Sequence, residues 1–400
     1  MKPAKNNSLS VLLGAAFIMA TSAIGPGFLT QTSHYTDLLK GSFGAVILIS
    51  CLLSLIVQVN VWRIVCISGM HGQEIADSLL PGLGVLLSLL ITAGGIVFTI
   101  GNVGGGALGF QTLMGLPQPV GILLTGIISV AIFLTKNATK AMDTISKVLG
   151  ISTILIIFFI ILVIHPPYGT ALKETFHPSA GLSDLSDGIR TLLGGTVGGY
   201  ITFAGAHRLL DAGITGEENK KQITSSSVTG ILIATLVRIL LFLAVLGVVS
   251  VSSGLVLDTS NPASDAFHRG AGQIGYRLFG VILLSASVTA TIGCSYTTVS
   301  FVKTLHPWLE NHEKFITCIF IGLCTFLMSV IGRPANLLIL AGTLNGLIIP
   351  LILIICLIAS EKKGIMGNDY HHPQWMTVTG IISVFLTGGL VIRYILNVFL

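Results

Sequence analysis

The chain has 400 residues, of which 52% are hydrophobic and only 9% are charged. A soluble domain carries about 25% charged residues, so this chain has too few charges to cover a water-facing surface. The formal net charge is +5, but the basic residues are scattered, without the clusters that follow a phosphate backbone. The composition therefore predicts a protein of the lipid bilayer and excludes nucleic acid as a partner.

Apolar runs long enough to cross a bilayer, which takes about 20 residues, recur along the whole chain. In chain order, the eleven predicted spans are 10–39, 43–67, 85–112, 118–136, 145–165, 188–211, 224–250, 275–304, 314–332, 335–359 and 376–398. None of the connecting segments is large enough for another domain. Residues 1–400 are therefore predicted to form a single membrane domain.

Lysine and arginine indicate the orientation of these spans. The start, "MKPAKNNSLS", reads as a short cytoplasmic tail, and more basic residues fall on its side of the spans than on the other. The pattern predicts a multi-pass protein of the cell membrane with a cytoplasmic N-terminus and an external C-terminus.

Two of the spans are interrupted by glycine. The first contains "AIGPGFLTQTSHYTD", from Ala23 to Asp37, and the sixth contains "LLGGTVGGYITFAGAHRLLDAG", from Leu192 to Gly213. Proline removes a backbone donor, and at bilayer depth an unpaired backbone is tolerated only against protein or a watery cavity. We predict that the two helices are unwound near Gly25–Thr32 and Gly194–Tyr200.

Breaks at spans 1 and 6 point to two inverted repeats of five helices with a binding site between them. The first repeat would cover about 10–165 and the second about 188–359, and span 376–398 would be an addition. Glycines alone would be a weaker sign, because they also allow helices to pack closely.

Three motifs carry a family resemblance. "GPGFL" in the first broken helix, "GGTV" in helix 6 and "NLLIL" in helix 10 resemble the natural resistance-associated macrophage protein (NRAMP) family of metal-ion transporters, over nearly the whole chain. The resemblance implies an all-α polytopic protein of the LeuT-type fold, with a 5+5 inverted repeat, an eleventh helix and proton-coupled transport.

The decisive metal motifs of that family are missing. Metal-transporting members carry Asp-Pro-Gly-Asn in the break of helix 1 and Met-Pro-His in that of helix 6, whereas "TQTSHYTD" and "GGY" stand here, and Gly342 replaces the helix-10 glutamine. The chain is more similar to a divergent bacterial branch, often encoded near 5-oxoprolinase components, which implies a small organic acid as substrate.

Acidic residues give the same indication. Only Asp37 lies within a span, near its outer end, and neither break holds a carboxylate, an imidazole or a thioether. Transition metals require such ligands. We therefore predict no metal ligands and no cofactor, apart from a co-transported proton or sodium ion.

Polar residues near the breaks are the predicted substrate-binding groups. Hydroxyls, amides and exposed N–H groups at a half-helix N-terminus suit a small carboxylate or amide. Alternatively, the hydroxyls bond to their own helices and the tyrosine only packs. The predicted residues are Thr30, Gln31, Thr32, Ser33, Gly198, Gly199, Tyr200 and Asn345.

A second group of residues could balance charge or bind the coupling ion. Arg238 lies in mid-span, where an arginine costs about 2.5–3.5 kcal/mol, and it either supports an anionic substrate, pairs with helix carbonyls or snorkels. Ser295 and Thr298 lie on a hydroxyl face of span 8, which either binds sodium or forms interhelical hydrogen bonds. His207 either carries a coupling proton or caps a helix end at the surface.

Together these observations predict a cation-coupled secondary active transporter that imports a small polar solute, such as the organic acid 5-oxoproline. The alternative is a proton-coupled divalent metal transporter with an atypical site. An intramembrane enzyme is disfavoured, because no HExxH, GxGD or intraspan His–Asp pair occurs. A channel or a structural membrane protein would not require two broken helices.

Overall fold

The computed structural model describes residues 16, 19, 20, 23–135, 138–250, 256–303 and 307–399, and their regular structure is helical. The helices of the first half are α1 (Pro26–Leu39), α2 (Phe43–Ser68), α3 (Gly72–Leu79), α4 (Leu83–Met114), α5 (Gln118–Phe133), α6 (Ala138–Ile164) and α7 (Tyr168–Phe176). Those of the second half are α8 (Leu182–Val197), α9 (Tyr200–Asp211), α10 (Lys220–Val249), α11 (Pro262–Lys303), α12 (Pro307–Asn311), α13 (Glu313–Ile331), α14 (Pro334–Ser360), α15 (Lys363–Met366) and α16 (Gln374–Phe399).

The helices follow the eleven predicted spans in order. The predicted tail and the start of span 1, up to residue 15, lie outside the described residues, as do positions 136 and 304 at two span ends. α11 consists of two helical parts that meet at a kink at Ala271 and Gly272, and the predicted span 8, from residue 275, corresponds to the second part.

Length and composition alone mark fewer spans. Seven helical stretches of the described residues are long and apolar enough to cross a membrane. The pair Ile151–Ile164 and Tyr168–Phe176, bent by 110°, raises the number to eight if it is one span. The number is lower than eleven for two reasons. Broken and short helices are not long enough as continuous apolar helices to be counted, and α1 and α2 are counted together as one stretch.

The first break lies at Ile24 and Gly25. Ala23 is helical, Gly25 is extended with φ −82° and ψ −179°, and α1 begins at Pro26. Proline is favoured at the first position of a helix, where its missing N–H has no partner to lose. The break is therefore shorter than the predicted Gly25–Thr32, and Thr30–Ser33 lie inside α1.

The second break lies at Gly198 and Gly199, between α8 and α9. Gly198 is extended. Gly199 has φ +52° and ψ −122°, a backbone conformation that residues other than glycine rarely adopt. Gly194 and Tyr200, the limits of the predicted unwound segment, are both helical. The predicted break is confirmed in place but is restricted to two residues.

Direct backbone contact joins α8, the first half of helix 6, to α14, which is helix 10. A Cβ added at Gly194 of α8 would overlap the Gly342 carbonyl oxygen and the Gly346 nitrogen of α14. Hydroxyls extend this junction to α1, because Thr191 Oγ1 lies 3.0 Å from Tyr35 Oη and 3.1 Å from Thr343 Oγ1. α1, α8 and α14 are thereby connected.

Candidate functional site

Gln31 is fully buried at the centre of this junction. Its Nε2 donates a 2.8 Å hydrogen bond to the Leu338 carbonyl in the first turns of α14, and its Oε1 has no partner among the described residues. Two glycines make room for the amide, since a Cβ at Gly195 would overlap Oε1 and one at Gly342 would overlap Nε2. The amide therefore fills the space between α8 and α14.

Asn345 has the same arrangement on the other side of the helix-6 break. Its Nδ2 donates to the Ala341 carbonyl at 2.9 Å and to the Gly94 carbonyl at 3.3 Å. Its Oδ1 is buried without a partner, against the positions that Cβ atoms would take at Gly94 and Gly199. The structure thus brings this predicted residue to the break.

Tyr200 begins α9 directly after the break and is fully buried. Its ring meets that of Phe98 edge to face, with the centroids 5.5 Å apart, and its hydroxyl interacts with the side chains of Asn102 and Cys294. The tyrosine therefore connects helix 6 to α4 and α11. The adjacent Gly198 and Gly199 are packed against Asn345.

The hydroxyl residues of α1 are buried but have different environments. The Thr32 and Ser33 hydroxyls have no partner within the described residues, and Thr30 is 4% exposed. They do not open the second half of helix 1, as the sequence predicted, because α1 already begins at Pro26. By helix geometry, the N–H groups free of intrahelical bonds are those of Gly27 and Phe28.

Arg238 links the two breaks. Its Nη1 donates a 2.7 Å hydrogen bond to Thr196 Oγ1, two residues before Gly198, and its guanidinium carbon lies 3.9 Å from the ring centre of Phe28, three residues after Gly25. The side chain is 4% exposed, so it does not snorkel, and the hydrogen-bond partner found for it among the described residues is a hydroxyl rather than a carbonyl. Nε and Nη2 are buried without partners.

Arg190 provides a contrast within the same protein. This arginine is also buried, but its Nη1 forms a 2.9 Å ion pair with Asp187 and its guanidinium covers the ring of Tyr394. No carboxylate among the described residues pairs with Arg238 in this way. Arg238 is therefore a buried cation whose counter-charge is not supplied by that part of the chain.

The predicted hydroxyl face of span 8 is buried in α11. Ser295 Oγ donates to the Thr291 carbonyl at 2.7 Å, and Thr298 Oγ1 lies where a Cβ of Gly95 would be. The hydroxyl on this face without a partner is that of Thr291. The structure therefore places Ser295 and Thr298 in helix packing and leaves Thr291 as the better candidate to bind a cation.

His207 is not at the surface. It is 1% exposed, and its Nδ1 lies 2.9 Å from Ser300 Oγ. The ring of His71, which begins the turn before α3, lies 4.7 Å away. His207 Nε2 has no partner. The alternative of a surface histidine that caps a helix is wrong, because His207 is buried in the second half of α9 beside His71.

Two residues of the site were missed in the sequence. Phe28 and Thr196 lie inside "GPGFL" and "GGTV", the motifs that marked the breaks, yet only their contact with Arg238 shows their role. No spacing rule connects positions 28, 196 and 238. Metal ligands, by contrast, do not converge: no group of three or more His, Cys, Asp or Glu side chains that could hold a metal ion occurs in the described part of the chain.

Two broken helices flanked by buried, unpaired polar groups define a membrane transporter of the LeuT-type fold. Solved structures show the same fold. The manganese transporter of Eremococcus coleocola superposes with a TM-score of 0.76 at 18% identity, over 98% of this chain and 87% of that one. MhsT in complex with L-phenylalanine gives a TM-score of 0.62 at 15% identity, over 95% and 98%.

The chain belongs to the natural resistance-associated macrophage protein-like (Nramp) family, which matches residues 16–397. The uncharacterized membrane protein YcsG of Bacillus subtilis is 51% identical over 96% of this chain and 93% of its own length. The resemblance stated from three short motifs is thereby confirmed. The family is one of transporters and not of enzymes.

Proposed function

We propose that the protein is a cation-coupled secondary transporter that imports a small organic acid rather than a transition metal. One observation carries the proposal: Arg238 is buried beside both breaks, and no carboxylate of the described residues pairs with it. A buried charge without a counter-charge is expensive. A substrate carboxylate would supply the missing partner each time it is bound.

A divalent cation fits this arrangement poorly. The guanidinium of Arg238 carries a full positive charge next to the segment that would bind the ion, and the two charges repel. The polar atoms near the breaks are amide oxygens and hydroxyls, which are weak ligands for a dehydrated transition metal. These features favour an anion over manganese or iron.

A carboxylate has two kinds of donor at this place. Arg238 Nε and Nη2 are unpaired, and the N–H groups of Gly27 and Phe28 open the 14-residue helix α1, whose positive dipole end lies at the break. We therefore propose that the substrate carboxylate binds at the first turn of α1, and not at Thr30–Ser33 as predicted from the sequence. We name 5-oxoproline as the acid to test first.

Import of an anion requires coupling. Moving one negative charge inward against a negative-inside potential costs about 2.3 kcal/mol per 100 mV, and a co-transported cation offsets this cost. A sodium ion would bind at the α11 hydroxyl face, where Thr291 Oγ1 is unpaired, and a proton could use His207. The cytoplasmic N-terminus proposed above places His207 on the inner side.

The test is uptake of labelled 5-oxoproline into proteoliposomes under a proton gradient, a sodium gradient or neither. We expect concentrative uptake with one gradient, and loss of uptake in Arg238→Met. Arg190→Met removes the other buried arginine and is the control, expected to lower thermal stability but to keep binding. Uptake of manganese instead of the acid would support the divalent metal alternative, and no uptake of either would overturn the choice of substrate.

A further inference from the structure

Two amide side chains face the helix-6 break with their oxygens. Gln31 comes from α1 and Asn345 from α14, and both are fully buried. The nitrogen of each amide is occupied by backbone carbonyls: Leu338 for Gln31, and Ala341 together with Gly94 for Asn345. Because carbonyls only accept hydrogen bonds, they fix the nitrogen ends of both amides.

The amide oxygens are consequently acceptors without donors. Gln31 Oε1 is directed at Gly195 and Asn345 Oδ1 at Gly199, one on each side of the last turn of α8. Leaving a buried acceptor unpaired costs about 1–3 kcal/mol. Two such acceptors beside one break indicate a ligand that donates hydrogen bonds there.

From this we infer that Gln31 and Asn345 recognise N–H groups of the substrate, and that the substrate is a small carboxylate with a neutral N–H, such as a lactam or N-acyl acid. The inference rests on the proposed function, since the carboxylate is the group assigned to Arg238. It adds the second recognition element and so narrows the substrate class.

The choice of a neutral donor follows from charge. A buried ammonium group is balanced best by a carboxylate, and the described residues of the two break regions, 24–33 and 194–200, include no aspartate or glutamate. Amide oxygens satisfy a neutral N–H fully but leave an ammonium charge uncompensated. Lactams are therefore preferred over free amino acids with the same carbon skeleton.

Substrate analogues test the inference directly. The probes are 5-oxoproline, the γ-lactone acid in which a ring oxygen replaces the N–H, and proline. Binding is followed by thermal shift and calorimetry of the purified full chain. We expect the lactam to bind at least about 10-fold more tightly than either analogue. In Gln31→Met the ratio of lactam affinity to lactone affinity should fall towards one, with the remaining discrimination left to Asn345.

The matched control is Gln73→Met. Gln73 is also buried, and its Nε2 donates to the Ser300 carbonyl, as that of Gln31 donates to the Leu338 carbonyl, but it belongs to α3, which contains neither break. Its ratio should stay at the wild-type value. Because the readout is a ratio of two ligands on one folded variant, a general loss of stability does not imitate the effect.

Each other outcome has a defined meaning. Equal binding of lactam and lactone by the wild type would overturn this inference and leave the organic-acid proposal standing. Tighter binding of proline than of the lactam would overturn the claim that the substrate donates a neutral N–H. Stabilisation by sodium or manganese alone, abolished in Gln31→Met, would assign the oxygens to a cation and overturn the inference. If no carboxylate binds, the proposed function fails and this inference fails with it.

Discussion

The guanidinium of Arg238 lies over the ring of Phe28, with its central carbon 3.9 Å from the ring centre. A cation–π contact of this kind, away from water, contributes about 2 kcal/mol or more. It also fixes the arginine beside the first turn of α1, where the unpaired N–H groups of the helix begin. The aromatic ring thus orients the charge that the proposed substrate meets.

Replacing that ring tests the orientation. In Phe28→Leu we expect the affinity for 5-oxoproline to fall roughly 10-fold, because Arg238 loses its stacking partner and becomes mobile. Calorimetry on the purified variant measures this. Phe279→Leu changes a fully buried phenylalanine that packs on Phe267 and should leave the affinity unchanged. An unchanged affinity in Phe28→Leu would show that Arg238 is positioned by Thr196 alone.

A methyl group at Gly195 should displace the Gln31 amide. The Cβ of Gly195→Ala would overlap Gln31 Oε1, so the amide must rotate and lose its bond to Leu338. We predict loss of most 5-oxoproline uptake in proteoliposomes, with the protein still folded by circular dichroism. Gly322→Ala, where no atom lies within 4 Å of the new Cβ, is the control. Wild-type uptake in Gly195→Ala would place Gln31 outside the site.

Manganese should bind weakly or not at all. Neither break contains a carboxylate, an imidazole or a thioether, and Arg238 is next to both. Calorimetry with manganese, iron and cadmium should show no binding at micromolar concentration. Micromolar binding of manganese that is abolished in Gln31→Met would contradict this prediction and favour the metal alternative.

Acid should loosen the connection between α2 and the segment before α16. His372 Nε2 lies 3.0 Å from Asn60 Oδ1 and Nδ1 lies 2.7 Å from the Tyr370 hydroxyl, while Asn60 Nδ2 donates to the Ile56 carbonyl. Asn60 Oδ1 is therefore the acceptor, so His372 donates through Nε2 and accepts at Nδ1. Burial, together with the charge of Arg63, lowers the pKa of His372 to about 4.

The sign follows from proton linkage. Between pH 6.5 and about 4, His372 is protonated in the unfolded chain but neutral in the folded chain. The free energy of unfolding therefore falls as the pH falls through this window. The effect is on the order of 1 kcal/mol once solvent screening of this half-buried group is allowed for. Melting temperatures of wild type and His372→Gln at pH 7 and pH 4.5 measure it. An equal decrease in both proteins would assign the effect to other groups.

The positions of the breaks could be predicted from sequence because glycine and proline act locally. Gly25, Pro26 and Gly199 interrupt helices through their own backbone properties, so reading the chain was sufficient to locate them. The length of each break could not be predicted. Because Pro26 is compatible with the first position of a helix, α1 begins there, and the unwound segment is shorter than the surrounding glycines and polar residues suggested.

The partners of buried side chains depend on tertiary packing. The apolar composition of span 7 showed that burying Arg238 in the membrane costs free energy. The contacts of Arg238, however, come from residues more than forty positions away, on α1 and α8. The alternative of His207 as a surface cap was wrong, because the residue that packs on it, His71, lies more than a hundred positions away in the chain. Ser295 and Thr298 share a face as predicted, yet their partners, the Thr291 carbonyl and Gly95, assign them to packing.

The contact of Gly194 with Gly342 and Gly346 has a consequence for the transport cycle. Because their main chains meet at Gly194, Gly342 and Gly346 with no side chains between them, we expect α8 and α14 to move together during transport. Alternating access by movement of α1 and α9 against these two helices would then require the hydrogen bonds of Tyr35 to Thr191 and of Gln31 to Leu338 to break. A disulfide that locks α8 to α14 would leave turnover intact, whereas one that locks α1 to α14 would stop it.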